Sequence, residues 1–421
     1  MKSKKTEVQN IRKKILEELE LKEELTDEKM KELISSYLMT KETVASFSLS
    51  ERKRIGKEIF DSLRKMDILQ DLLEDEEVTE IMVNGPENIF IEKQGRLEKA
   101  EPEFDSRESL MQVIHLITSR CNREVNESSP IVDARLNTGE RVNVVLSPIA
   151  LNGPILTIRK FPHIPMTMER LVDLKAINRQ AAEFLEKAVK AGCNIIVSGG
   201  TGSGKTSFLN ALSDYIPKEE RIITIEDSAE LQIQGIENLV RLETRSLSIE
   251  GGKSITIRDL IKTSLRMRPN RIIVGEVRGE EAMDMVGSAM NCGHDGSMST
   301  IHANSAGDVL SRLENMYLMA ADIPVSAIRR QIASGIDLIV HLSRMRDKSR
   351  KVIEITEVVG IKGEEVSLNP IYQFRETKIN EKERVEGELV LVGKMVHTNK
   401  MEAAGISEGR EWEELYRKRR S

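Results

Sequence analysis

The chain is poor in cysteine and in aromatic residues. Its 421 residues include three cysteines, one tryptophan, five tyrosines and eight phenylalanines. Cys121, Cys193 and Cys292 are far apart and odd in number, so they fit neither a disulfide framework nor zinc-ligand spacing and indicate reduced thiols. The small number of aromatic rings leaves little surface on which nucleobases could stack, which disfavours single-stranded nucleic acid as a partner.

Long apolar runs and an excess of positive charge are also missing. No stretch approaches the length needed to cross a bilayer, and the N-terminus has no signal-peptide pattern. The formal net charge is −6, whereas a protein that works on nucleic acid more often presents a basic face. We therefore expect a cytoplasmic protein that does not bind nucleic acid and that associates with the inner face of a membrane only through partner proteins.

The sequence divides into regions that differ in composition and in predicted secondary structure. Residues 1–70 are charged and helix-forming, with no proline and one glycine, which predicts a helical N-terminal segment. Residues 71–160 combine strand–turn–strand patterns with a helix that Ser106 can cap, which predicts an α+β domain. The prolines of FPHIP predict a hinge, which we place at residues 161–175. Residues 176–421 then form a second domain with a C-terminal extension.

Strands and helices alternate in this second domain. Short apolar strands are predicted at NIIV, RIITI, RIIV, STIH and IDLIVH, with helix-forming sequence among them. This alternation is typical of an α/β fold with a mainly parallel sheet and helices on both faces. Ligand-binding groups then gather at the carboxyl ends of the strands. After Asn369 the pattern weakens, and we expect a charged tail with one strand at residues 388–392.

A glycine-rich segment, SGGTGSGKTS, runs from Ser198 to Ser207 between an apolar strand and a helix-forming stretch. It contains the pattern G-x-x-x-x-G-K-T, whose glycines let several backbone N–H groups point at one phosphate. Lys205 is the expected charge for the β and γ phosphates of ATP, and Thr206 is the expected hydroxyl ligand of Mg²⁺. An ordinary glycine-rich turn is the alternative, and the flanking strand and helix argue against it. The predicted nucleotide-binding residues are Gly200, Thr201, Gly202, Ser203, Gly204, Lys205, Thr206 and Ser207.

Acidic residues follow two other strands. Glu226 and Glu230 come just after RIITI, and they lie at the same predicted sheet edge as the glycine-rich loop. Metal-assisted attack of water needs carboxylates at that edge, although solvated loop carboxylates are the default interpretation elsewhere. After RIIV, Gly275 stands where many nucleotide hydrolases have an aspartate, and Glu276 follows it. Glu276 is therefore a candidate general base or water-mediated metal contact.

Histidine and arginine complete the candidate site. His302 ends the strand STIH, and His294 lies at the preceding glycine-rich turn. A single histidine is usually structural, but two in one strand-end segment favour a role in sensing the γ-phosphate, which we assign to His302. Negative charge that develops on the γ-phosphoryl oxygens is stabilised by an arginine, which we expect from a part of the protein that can move toward the nucleotide. Among the arginines near the hinge, Arg141 and Arg159 are our candidates because both lie on predicted strands.

In this order, the motifs resemble those of the secretion and pilus-assembly ATPases of the type II/type IV secretion superfamily. The resemblance rests on the glycine-rich loop and on the segments ITIEDSAELQ, RIIVGEVRGEEA and STIHANSA. Four further segments are similar to the CpaF/TadA branch: EIMVNGPENIFIE, VDARLNTGERVNVV, LNGPILTIRKF and IRRQIASGIDLIV. Together they cover about residues 71–375.

The resemblance implies a homo-hexameric ring in which each subunit has an α+β domain hinged to a RecA-like motor domain. ATP would bind between the two domains, and its hydrolysis would drive pilus assembly or protein secretion through an inner-membrane platform protein. It also implies the site roles, which are phosphate and Mg²⁺ binding by Lys205 and Thr206, hydrolysis by Glu226, Glu230 and Glu276, phosphate sensing by His302, and contact with the nucleotide by Arg141 and Arg159.

Three other functions are compatible with a phosphate-binding loop. The first is a RecA-like nucleic-acid translocase, which the acidic balance and the shortage of aromatic rings disfavour. The second is an ATP-gated adaptor without turnover, whose working surface would be the helical segment at residues 1–70. The third is a small-molecule kinase, in which the large preceding domain would have no role.

Overall fold

The computed structural model describes residues 26–93, 95–121, 123–136, 138–160, 166–245, 254–379 and 385–406, together with residues 8, 10, 11, 14, 15 and 18. The prolines on which the hinge prediction depends, at residues 161–165, lie outside these ranges. The chain divides into two units, Met1–His163 and Ile164–Ser421, which are called unit 1 and unit 2. Within the described ranges, no helix is both long enough and apolar enough to cross a membrane.

The first part of unit 1 is helical. Three of its helices begin at a serine or threonine whose hydroxyl accepts a hydrogen bond from the first turn, at Thr26, Thr40 and Ser48. Apolar residues at helical spacing, such as Ile34, Ile55 and Ile59, form a small core between the helices. The helices are α1 (Asp27–Leu38), α2 (Lys41–Ser46), α3 (Leu49–Arg64) and α4 (Leu69–Glu74).

The rest of unit 1 is an antiparallel sheet with one helix against it. Alternate residues of the strands, among them Ile81, Val83 and Leu156, turn inward and pack against that helix. Ser106 caps the helix, as its position in the sequence predicts. The strand order is β3-β2-β1-β6-β5-β4. The elements are β1 (Val78–Asn84), β2 (Ile89–Lys93), β3 (Arg96–Lys99), α5 (Arg107–Arg120), β4 (Ile131–Arg135), β5 (Arg141–Val145) and β6 (Ile155–Arg159).

Unit 2 alternates strands and helices before it ends in an antiparallel extension. Its first half comprises α6 (Met168–Asp173), α7 (Arg179–Lys190), β7 (Ile195–Gly199), α8 (Lys205–Ser213), β8 (Ile222–Glu226), β9 (Leu239–Glu243), α9 (Ile257–Ser264) and β10 (Arg271–Val277). Its second half comprises α10 (Glu281–Asp284), a π-helical turn (Met285–Met290), β11 (Met298–His302), α11 (Ala306–Ala320), α12 (Val325–Gly335), β12 (Leu338–Arg344), β13 (Arg350–Lys362), β14 (Glu365–Ile379), β15 (Val385–Leu391) and α13 (Asn399–Ala403).

The described strands of unit 2 form one nine-stranded sheet in the order β15-β14-β13-β12-β7-β11-β10-β8-β9. The strands from β12 to β9 in this order are parallel to one another, and β13, β14 and β15 continue the sheet antiparallel. Both faces are buried, because Ile195 and Val197 of β7 pack into one core and Ile196 between them packs into the other. A mixed α/β fold with a parallel centre and covered faces is therefore confirmed.

Two details differ from the expectations drawn from sequence. The proposed linker at residues 161–175 contains α6, whose Met168 and Leu171 lie in the core of unit 2, so part of it is integral to that unit. The expected charged tail after Asn369 is wrong for its first part, because β14 continues to Ile379. Pairing with β13 on one side and β15 on the other stabilises this strand, and a local sequence pattern does not reveal such pairing.

Candidate active site

The carboxyl ends of the parallel strands meet at one edge of the unit 2 sheet. Gly199, the last residue of β7, is opposite His302 of β11 on one side and opposite Leu342 of β12 on the other. Glu226 ends β8, and Glu276 lies near the end of β10. The glycine-rich loop, the two glutamates and the histidine therefore share one edge, as the order of motifs predicts.

The glycine-rich loop joins β7 to α8 and is built around glycine conformations. Gly202 and Gly204 have φ values of 70° and 93°, in the left-handed region that other residues rarely adopt. A side chain at Gly199 would collide with the carbonyl oxygen of Leu342. Gly200 and Thr201 are exposed at the apex, and Ser203 is buried and donates a hydrogen bond to the Gly200 carbonyl at 2.8 Å. Thr206 and Ser207 lie on the first turn of α8 and are half-buried.

Lys205 is the first residue of α8, and its side chain is buried beneath the loop. Its Nζ donates hydrogen bonds to the carbonyl oxygens of Gly199 and Gly200, both at 3.1 Å. It also lies 3.2 Å from Nδ1 of His302. Burial lowers the pKa of Lys205, and the nearby carboxylate of Glu276 opposes this effect. The ammonium group is thus held in place between the loop and β11.

His302 and Glu276 continue this contact along the sheet edge. Nε2 of His302 lies 3.0 Å from Oε1 of Glu276, and burial lowers the pKa of His302 despite that carboxylate. The Nε2–Oε1 contact falls outside hydrogen-bond geometry, so Oε1 accepts no hydrogen bond from any described residue. Oε2 of Glu276 accepts two, from Nε and Nη2 of Arg278, at 2.8 and 2.6 Å. Arg278 also lies 3.7 Å from the carboxylate of Asp227, so charges alternate along this edge.

Glu226 is a buried carboxylic acid beside these groups. Its Oε1 accepts hydrogen bonds from the backbone N–H groups of Glu230 and Leu231, both at 2.8 Å. Its Oε2 is buried without a partner among the described residues. Burial raises the pKa of Glu226 to about 7, and the two backbone hydrogen bonds oppose this shift. Glu230 contributes its backbone N–H to this arrangement.

The packing around Glu226 gives a physical reason for Gly275. A methyl group placed on Gly275 would lie 3.0 Å from Cγ of Glu226. The space that an aspartate side chain would need at that strand end is therefore taken by the side chain of Glu226. The carboxylate beside Gly275 is therefore that of Glu226 from β8, the strand next to β10, while the carboxylate of β10 itself comes one residue later, at Glu276.

The oxygen donors at this edge are of the type that Mg²⁺ prefers. Thr206 supplies a hydroxyl, and Glu226 supplies a buried oxygen without a partner in the described part of the chain. The described residues contain no group of three or more histidine, cysteine, aspartate or glutamate side chains that could hold a metal ion. Mg²⁺ is usually bound through one or two protein oxygens, substrate phosphates and water, and this sparse donor set fits that pattern.

The two candidate arginines lie in unit 1 and are neighbours there. Arg141 of β5 is directly opposite Arg159 of β6, and Arg135 of β4 is directly opposite Arg141 on the other side. Residues directly opposite each other share one face of an antiparallel sheet, so the three arginines form a row. Their role toward a nucleotide in unit 2 stays a prediction. The alternative histidine, His294, has Nδ1 3.0 Å from the carbonyl oxygen of Pro269.

Three arginines at this edge of unit 2 were not singled out from the sequence. Arg278 contacts Glu276 directly, and Arg350 donates a hydrogen bond from Nε to the carbonyl of Gly202 at 2.9 Å. Arg344 ends β12, and its Nη1 would lie 3.5 Å from a methyl group on Gly202. The rule that ligand groups follow parallel strands could have identified Arg344. No local signal marks Arg350, because it belongs to the returning antiparallel strand.

These elements are those of a nucleotide-binding α/β domain with a phosphate-binding loop. A family model described as type II/IV secretion system protein matches residues 62–421, and the chain belongs to this family. The family expected from the motifs is thereby confirmed, and membership supports nucleotide binding and ATP hydrolysis in general.

Relatives and solved structures agree with this result. The conjugal transfer protein TrbB of Rhizobium radiobacter is 32% identical over 332 residues, which cover 78% of this chain and 98% of TrbB. The type IV secretion system protein PtlH of Bordetella pertussis is 33% identical over 306 residues, covering 66% of this chain and 90% of PtlH. The solved structure of the pilus retraction motor PilT with bound ADP has a TM-score of 0.53 at 17% identity, covering 83% of this chain and 88% of PilT, a likeness of fold alone.

Proposed function

We propose that the chain is the ATP-hydrolysing motor of a type II/IV secretion machine. The observation that carries the proposal is the convergence of Lys205, His302, Glu276 and Glu226 at one sheet edge next to the phosphate-binding loop. A pure adaptor needs phosphate-binding groups, but it has no need for two carboxylates, those of Glu226 and Glu276, beside them. The strand order, in which β11 separates the loop strand β7 from β10, supports a RecA-like motor domain.

Each side chain has a distinct proposed task. Lys205 and the loop N–H groups neutralise the β and γ phosphates, and Thr206 with Glu226 holds Mg²⁺, which would polarise the phosphoryl oxygens. Glu276 is our candidate for the general base, because its Oε1 accepts no hydrogen bond within the described residues while Arg278 fixes its other oxygen. His302 links Glu276 to Lys205 and so connects the base with the phosphate position. Glu230 orients Glu226 through its backbone N–H.

The same proposal extends to the whole machine. Arg141 and Arg159 contribute positive charge to the reacting phosphate from unit 1, and the active assembly is a homo-hexamer. The motor works at the inner face of the membrane against a platform protein. Because the motifs resemble the CpaF/TadA branch, we propose pilus assembly of the Tad/Flp type as the process, with protein secretion as the alternative. Sequencing of neighbouring genes distinguishes the two, since pilin and prepilin-peptidase genes accompany a pilus machine.

The test is ATP turnover by the purified full chain and by matched variants. We expect Lys205→Ala to lose nucleotide binding and Glu276→Gln to keep binding while losing turnover by at least about a hundredfold. Glu280→Gln is the control, because Glu280 is exposed and paired with Arg258. Wild-type turnover in Glu276→Gln contradicts the proposed base, and nucleotide binding without any turnover in the wild-type chain favours the adaptor. Light scattering with and without ATP tests the hexamer.

A further inference from the structure

The turn between β12 and β13 lies against the phosphate-binding loop. Nε of Arg350 donates a hydrogen bond to the carbonyl oxygen of Gly202 at 2.9 Å. A methyl group on Gly204 would lie 3.2 Å from Cδ of Arg350, so the stem of this side chain runs along the loop. Arg344 is directly opposite Arg350 in the β12–β13 pair, and its Nη1 would lie 3.5 Å from a methyl group on Gly202. Both guanidinium groups therefore belong to the surroundings of the loop.

The turn itself is fixed by its own hydrogen bonds and by contacts with the antiparallel extension. Asp347 accepts hydrogen bonds from the backbone N–H and the hydroxyl of Ser349, at 2.9 and 2.6 Å, and from the N–H of Val385 at 2.8 Å. Arg346 forms an ion pair with Glu376 of β14. Arg344 and Arg350 thus lie at the two ends of a turn that these contacts hold in one conformation. Each arginine therefore loses less conformational entropy when it holds a ligand group in place.

The contact with Gly202 matters because of how such loops bind phosphate. Their N–H groups converge on the anion only when the carbonyl groups point away from it. Gly202 has a left-handed φ of 70°. A glycine can also adopt other backbone conformations, so the sequence alone does not hold the loop in this one. A hydrogen bond from a charged donor to its carbonyl oxygen favours the binding conformation before the ligand arrives.

We propose that Arg350 is a positioning residue of the nucleotide site and that Arg344 adds positive charge to it, an inference that rests on the proposed function. Arg350 acts through the Gly202 carbonyl and holds the loop apex in its phosphate-binding shape. Arg344 is exposed at the end of β12 with its Nη1 beside Gly202, and in this proposal its charge acts on the phosphates at the loop. The ordinary interpretation, two solvated arginines on an exposed turn, predicts no effect on nucleotide affinity.

The experiment measures the Kd of a fluorescent ATP analogue and the KM and kcat for ATP, using the full chain. Because Arg350 is exposed, we expect Arg350→Ala to raise Kd and KM about tenfold with kcat within about threefold of wild type. Arg350→Lys, which can still donate to Gly202, should recover most of that loss. Arg344→Gln should raise Kd about threefold. Lys348→Gln is the matched control on the same turn, because the Lys348 side chain is exposed and the change also removes one positive charge, and it should bind like wild type.

One further measurement, the thermal midpoint, and one replacement variant separate the possible outcomes. The thermal midpoint without nucleotide should be the same for Arg350→Ala and wild type, because a merely structural residue would lower it. If Arg350→Ala does not fold, Arg350→Gln takes its place. A wild-type Kd in the Arg350 variant, or an equal loss in Lys348→Gln, overturns the inference while Lys205→Ala still loses binding. Failure of the wild-type chain itself to bind the analogue overturns the proposed function as well.

Discussion

At the scale of single residues, Glu226 has the most unusual environment at the candidate site. Only 3% of its surface is exposed, and burial raises its pKa to about 7. In the unfolded chain a glutamate loses its proton near pH 4.5. Between about pH 4.5 and pH 7 the folded state therefore binds one proton more than the unfolded state. The stability that this proton provides is complete below 4.5 and is lost as the pH rises through 7. Ionisation of Glu226, which its proposed role in binding Mg²⁺ requires, therefore costs stability.

Glu226→Gln removes this cost, because the amide stays neutral and its oxygen can still accept the two backbone hydrogen bonds. We expect the free energy of unfolding of the variant minus that of wild type to be about 1–3 kcal/mol larger at pH 8 than at pH 5. Urea unfolding at both pH values measures it, with the exposed Glu280→Gln as control. A difference between variant and wild type that does not change with pH contradicts the raised pKa.

The same ionisation should make wild-type ATP turnover rise with pH through about pH 7.

Gly275 offers a second test at this scale. A methyl group there would lie 3.0 Å from Cγ of Glu226, so Gly275→Ala must displace the carboxylate. We expect a loss of stability of about 1–3 kcal/mol and a fall in kcat of at least about tenfold. Gly307→Ala is the control, since the methyl group would lie 3.9 Å from the hydroxyl oxygen of Ser305 and meet nothing closer. Equal behaviour of the two variants would show that Glu226 does not need the space at Gly275.

Residue-level prediction from sequence succeeds where chemistry follows a local pattern. The sequence identifies the glycine-rich loop and the residues at the ends of β8, β10 and β11, because the ends of parallel strands share one edge, and the structure places Lys205, His302 and Glu276 in contact. Arg350 has no distinctive local pattern, because its contact with Gly202 depends on which distant strands become neighbours. Arg278 and Arg344 lie at strand ends, where the same rule applies, but arginines are so common on surfaces that the rule alone does not single them out.

At the scale of elements, the start of β7 depends on one buried side chain. Asn194 donates hydrogen bonds to the carbonyls of Met290 and Gly335, at 2.9 and 2.8 Å. Its oxygen accepts hydrogen bonds from the N–H groups of Gly296 and Ser297, at 2.9 and 3.1 Å. One amide therefore joins the loop strand to the π-helical turn, to the end of α12 and to the turn before β11.

Asn194→Ala should leave these buried backbone groups without partners. Each unsatisfied group costs about 1–3 kcal/mol, so we expect a total loss of at least about 3 kcal/mol. Urea unfolding measures the loss, and Asn143→Ala serves as control because its exposed hydrogen bond to Asp133 contributes little. A loss below about 1 kcal/mol would mean that water replaces the amide. No sequence pattern distinguishes Asn194 from a surface asparagine, although the apolar run after it predicted β7.

At the scale of the whole molecule, the sequence predicts a catalytic contribution from unit 1 to a site in unit 2. Three arginines lie side by side on β4, β5 and β6, at Arg135, Arg141 and Arg159. Glu80 of β1 is directly opposite Arg159 on the other side, and the charge of Arg159 opposes the rise that burial causes in the pKa of Glu80, so a carboxylate lies beside the row. The prediction from sequence is that Arg141 and Arg159 of this row also act on the phosphates of ATP.

The final prediction concerns this arginine row. A variant carrying Arg141→Ala and Arg159→Ala should lose about a thousandfold in kcat for ATP, since charge on the transferring phosphoryl group goes uncompensated. Its Kd for nucleotide should stay within about threefold of wild type, because the loop and Lys205 are intact. Arg96→Ala is the control, as Arg96 is exposed on β3 at the opposite edge of the unit 1 sheet.

Mixing the double variant with Lys205→Ala chains, which keep the arginines, should restore part of the turnover if the arginines serve a neighbouring subunit's nucleotide. Wild-type turnover in the unmixed double variant removes unit 1 from the chemistry, whereas no recovery on mixing confines the arginines to the nucleotide of their own chain.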